Sequence, residues 1–148
     1  MDEVKALPEN YRPEVTEPVL DMYLGLLVPL LELDERNHIP VTLTVSGAVI
    51  YGELISYDVW KSEWVKLLQE STQGAGVDVL AKFPQSVDDV RQELVDAGEL
   101  HVLKSPPRFV HLRDVSILGG SHSTTINHRL WRGRLAEVSG WSLGTPSW

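Results

Sequence analysis

His128-Arg129-Leu130-Trp131-Arg132-Gly133-Arg134-Leu135-Ala136-Glu137-Val138-Ser139-Gly140-Trp141-Ser142-Leu143-Gly144 is the stretch on which the fold turns. Side chains alternate across a strand, so Trp131, Gly133 and Leu135 fall on one face and Arg132 and Arg134 on the other. That is the pattern of a half-buried strand with a basic outer face. A further strand follows, in which Gly140 separates Val138 from Trp141.

Working back from this segment, Phe109 to Leu118 also reads as strand, but its apolar phase slips. Val110 and Leu112 share one parity, Val115 and Ile117 the other. A bulge at Arg113-Asp114 would return all four to one face. Earlier still, Val41, Leu43 and Val45 alternate with Thr42, Thr44 and Ser46, a strand signature rich in β-branched residues. Gly47 supplies the reversal, and the returning strand runs from Ala48 to about Tyr57. Gly52 interrupts that strand and marks a bulge or a close backbone approach.

Between the two strand sets lies helical sequence. Asp58 is placed as the cap of a helix over about 59–72, with Trp60, Trp64, Leu67 and Leu68 at helical spacing. Gly74-Ala75-Gly76 ends it, and Ser86 opens a second helix to about Ala97, stopped by Gly98. Leu100 to Leu103 reads as a short strand ahead of Pro106-Pro107. At the start, residues 1–15 form an extended arm, Thr16 stands as an N-cap, and a helix from about 17 to 35 follows, which Pro29 should kink or divide. The expected domain is therefore residues 16–148, an α+β fold. Its core is a small bent antiparallel β-barrel or rolled sheet, with an N-terminal helix and a helical insertion between two strand sets.

Composition narrows the function. The 148 residues suffice for one self-supporting core. There is no cysteine, which removes disulfides and the thiolate ligands of most structural zinc sites. The formal charge of -8 repels a phosphate backbone, so nucleic acid would need a concentrated basic face. The apolar run from Val19 to Leu33 carries Asp21, Pro29 and Glu32 and falls short of the roughly 20 residues of a spanning helix. With no signal-peptide pattern at Met1-Asp2-Glu3-Val4, a soluble cytoplasmic protein is the expectation.

No catalytic constellation emerges. Among His38, His101, His111, His122 and His128, no pair has the i, i+4 spacing of a helical zinc site. Gly119-Gly120-Ser121-His122-Ser123 lacks the strand-to-helix elbow that aims a nucleophile. Gly74-Ala75-Gly76 is too short for a phosphate loop. The carboxylates are scattered, and no cofactor or metal is called for.

Recognition is a better prospect than catalysis. Trp60 and Trp64 read as anchors of their helix, and Trp131 as core. Trp141 and Trp148 sit among glycine and serine, where Trp141 is open to either burial or an interface role. Arg129, Arg132 and Arg134 make the concentrated positive patch. It either pairs with the protein's own acids or docks an acidic partner, and with Trp141 it forms the candidate interaction surface.

Three blocks, Val45–Ser56, Phe109–Ile117 and Leu130–Gly144, resemble the gas vesicle accessory protein GvpU in order and character over residues 40 to 144. The resemblance implies a non-enzymatic protein without a cofactor. Such a protein self-associates as a homo-oligomer, binds gas vesicle shell proteins or the vesicle surface in the cytoplasm, and influences vesicle assembly or clustering. The N-terminal helical region is longer than that pattern, and the sequence stops at Trp148 where the pattern has a polar tail bearing lysine and serine. The bent glycine-bearing hairpin alone also suits an Sm-like small-barrel module that binds RNA or protein.

Overall fold

The structure, a computed structural model, describes residues 21–98, 108–119 and 124–146. The expected N-terminal arm, the Thr16 cap, the strand at 100–103, His101, His122, most of the Gly119–Ser123 loop and Trp148 lie outside them. Helix α1 spans Met22–Leu31, β1 Ile39–Val45, β2 Ala48–Ile55, α2 Tyr57–Ser71, α3 Val77–Asp96, β3 Phe109–Leu118, β4 Ile126–Arg134 and β5 Val138–Leu143. A 3-10 turn, Leu135–Glu137, links the last two strands.

Local chemistry sets these boundaries. The α1 cap is Asp21, whose carboxylate accepts from Leu24 N at 3.0 Å, and the helix ends two residues past Pro29 without a second piece. Ser56 caps α2 by accepting from Val59 N at 3.2 Å, so Asp58 falls inside the first turn. Helix α3 begins nine residues earlier than Ser86, directly after the Gly74–Gly76 break, and runs through Pro84.

The five strands pair antiparallel in the order β4-β3-β2-β1-β5. Ser46 and Gly47 both have positive φ, 50° and 80°, as a two-residue hairpin turn requires. The β2–β3 register shifts between Tyr51 and Glu53, where Asp114 takes φ 51°. A Cβ on Gly52 would lie 2.9 Å from the Arg113 carbonyl oxygen, so only glycine lets the strands close at this bulge. Val110, Leu112 and Val115 are consequently buried on one face and Ile117 packs beside them, as the phase slip requires.

The barrel expectation is corrected. Strands β4 and β5 stand at the two edges, and no ladder joins them among the described residues. The sheet is nonetheless far from flat. Arg134 pairs with Phe109 at one end of the sheet, and Val138 pairs with Val45 at the other. Flat strands would put these edges about 19 Å apart, whereas four extended residues span at most about 14 Å. The sheet must therefore curl corner to corner. Because the link joins corners only, β4 and β5 cannot run side by side to close the ring.

The concave side holds the core. Val41, Leu43, Ile50, Leu54, Val110, Leu112, Val115 and Leu135 pack there against Leu24 and Leu31 of α1, which covers the opening. Burying a side chain of this kind is worth about 1.5–3 kcal/mol. On the convex side, Ile55 packs with Val59 and Trp60 of α2, flanked by Leu130. Helix α3 rests on α2 through Ala81 and through Asp88, which accepts from Tyr57 Oη and Lys61 Nζ at 2.9 Å each.

Candidate interaction surface

The terminal strand does present two faces. Leu135 is buried and Trp131 packs on the core, with the indole lying over Gly133. Arg132 and Arg134 point away from them and are exposed.

The four residues expected to form one surface are placed differently. Arg129 forms an ion pair with Glu70 of α2, which raises its pKa. Both partners are solvent-facing, so the pair adds little stability. Arg134 closes β4 opposite Phe109. Trp141 lies on β5 at the other edge of the sheet, opposite Leu43, and packs partly against the core.

Arg132 has the most defined setting. Its guanidinium stacks on the Phe109 ring at 3.7 Å, and its Nε donates to His111 Nε2 at 3.1 Å. His111 is buried between Tyr57 and Trp60, with ring centroids at 5.0 and 5.3 Å. Burial lowers its pKa to about 4, and the Arg132 charge works the same way. The ring is thus neutral near pH 7, with its proton on Nδ1 and Nε2 free to accept from Arg132. The indole N–H of Trp60 beside it is buried and has no partner among the described residues.

Above Arg132 lies a cleft of about 310 Å³ to which all three helices and the sheet contribute. Arg91 of α3 and Arg108, just ahead of β3, join Arg132 in lining it. Glu32 and Asp88 are the acids in the wall, and Val28, Val87 and Phe109 its apolar part. Sequence reading missed Arg91 and Arg108 because each is a lone arginine in its own segment. Docking of α3 brings Arg91 beside β4, and the β3–β4 ladder brings Arg108 there.

Two apolar surfaces also stand out. On α3, Leu80, Phe83, Val87 and Val90 are about half exposed or more and follow 3-4-3 spacing on the side away from α2. On α1, Met22, Tyr23, Leu26 and Leu30 are exposed opposite the face that meets the core.

Among the described residues, no group of three or more histidine, aspartate or glutamate side chains could hold a metal ion. No described helix is long and apolar enough to cross a membrane.

Neither a search of curated proteins nor a search of solved structures returns a match. A family model described as gas vesicle protein GvpU-like matches residues 21–146, a span that takes in every strand and helix above. The chain belongs to the GvpU-like family of gas vesicle proteins.

Proposed function

We propose that this protein is a non-catalytic accessory factor of gas vesicles, working in the cytoplasm. It self-associates, binds vesicle shell proteins or the vesicle surface, and thereby influences vesicle assembly or clustering. The observation that carries the reading is the family match across the whole fold. The exposed apolar stripe of α3 supports self-association. Its 3-4-3 spacing suits packing against a second helix, and isolated exposed apolar residues would not form such a row. The edges β4 and β5 add unpaired backbone groups that another chain can meet.

Cosedimentation with purified gas vesicles tests the vesicle half of this reading. Depletion from the supernatant at micromolar protein is expected, and an unchanged supernatant would sink it. Light scattering over a concentration series tests the self-association half. An Sm-like role in RNA binding fits the charge of -8 poorly, and background-level filter binding in low salt is the expected result.

A further inference from the structure

We propose that the cleft between α1, α3 and the β3–β4 end of the sheet is a docking site for a carboxylate side chain carried by a partner polypeptide, with Arg132 as its principal contact and Arg91 facing it. This inference does not depend on the gas vesicle assignment.

The argument starts from the way Arg132 is held. One face of its guanidinium lies on Phe109, and its Nε is committed to His111. What remains is the Nη edge, a planar fork with no acceptor among the described residues. A fork fixed in this way loses little conformational freedom when it binds, and its geometry matches the two oxygens of a carboxylate. His111 makes this possible by staying uncharged. A protonated ring would have no lone pair for Arg132 and would repel it.

The charges around the cleft set the kind of anion. Asp88 is already engaged by Lys61 and Tyr57. The side chains of Glu32 and Arg91 form no hydrogen bond or ion pair with any described residue. With Asp88 neutralised by Lys61, Arg91 and Arg132 against Glu32 leave the wall with one net positive charge. That balance suits a monoanion better than a phosphate dianion, which Glu32 and Asp88 would repel. The walls supplied by Val28, Val87 and Phe109 can take methylene or aliphatic groups next to the carboxylate, which a bare small anion would leave uncovered. A glutamate flanked by aliphatic residues on a polypeptide satisfies both features.

The test is a titration of the full chain with a short aliphatic peptide bearing one glutamate. The parallel arms are its glutamine counterpart, free acetate and inorganic phosphate, all at one ionic strength. Binding is read by calorimetry and by the NMR signals of the Arg132 Nε–H and the Trp60 indole N–H. Saturable binding of the glutamate peptide is expected, with both signals shifting. R91Q and R132K should each weaken it at least about tenfold. R91Q removes a side chain with no partner among the described residues, so its effect is not a folding effect. R132K keeps the charge and loses the fork. Equal binding of the glutamine peptide, equal or tighter binding of acetate or phosphate, or wild-type affinity in both variants would each overturn the proposal. Vesicle cosedimentation run beside it keeps the two readings separate, since peptide binding without vesicle binding would fail the proposed function alone.

Discussion

Trp64 donates its indole N–H to the carbonyl oxygen of Leu80 at 2.9 Å. That carbonyl is the one left without a helical donor, because the residue four positions on is Pro84, which has no N–H. A side chain of α2 thus repairs the defect that proline makes in α3, and the repair fixes how the two helices meet. Trp64→Phe removes the donor, and a loss of about 1 kcal/mol is expected in chemical denaturation. In a Pro84→Ala background the backbone supplies its own donor, so the same substitution should cost measurably less. Additive losses in that double-mutant cycle would show that the contact does not compensate for the proline.

His111 makes stability depend on pH in a stated direction. Above its unfolded value of 6.5 both states are neutral, and the group contributes no pH dependence. As pH falls from 6.5 toward about 4, only the unfolded chain takes up the proton, so stability falls through that window. The gap between 6.5 and about 4 corresponds to roughly 3 kcal/mol when complete. His111→Gln keeps an acceptor for Arg132 and does not titrate. Its denaturation midpoint should therefore change less than that of the parent chain between pH 6.5 and 4.5. Parallel pH profiles would refute the assignment.

Two glycines are fixed by what lies against them. Gly52→Ala would press a methyl group on the backbone of Arg113 and Asp114, which cannot move without opening the β2–β3 ladder. Gly133→Ala would press one on the Trp131 ring, which can turn aside. Both should lower the thermal midpoint, with overpacking costs of about 1–3 kcal/mol and the larger loss at Gly52. Differential scanning calorimetry measures the order.

The α3 stripe gives a prediction specific to self-association. Phe83→Asp combined with Val90→Asp places two charges on an exposed face, so folding stability should stay within about 0.5 kcal/mol of the parent chain. Sedimentation velocity should then show a shift toward the monomer. An unchanged distribution would remove α3 from the interface.

Much of the sheet was legible in the sequence, because its signals are local. The parity slip across Arg113-Asp114 and the lone Gly52 mark one bulge from its two sides. The alternation marks Val41 and Leu43, which are buried, and Val45, which packs partly against the same core. The first half of α3 was not legible, since Pro84 reads as a break when the donor that makes it tolerable sits on another helix. The α2 cap was misplaced by two residues for a similar reason. Asp58 is as good in type as Ser56, and packing chooses between them. The open edge of the sheet depends on how far a short link can reach, and strand patterns carry no information on that. The cleft was invisible because Arg91, Arg108 and Arg132 come from three separate elements.

The pairing of β5 with β1, Leu143 against Val41, has a consequence for biosynthesis. About a hundred residues separate these partners, so a nascent chain emerging from the ribosome holds β1 with one side unfilled until the last strand has cleared the exit tunnel. Until then the Thr42 hydroxyl lacks the Gly144 carbonyl to which it donates. The protein should therefore mature late and all at once, and a ribosome stalled short of residue 138 should carry a chain that chaperones and proteases still recognise as unfinished.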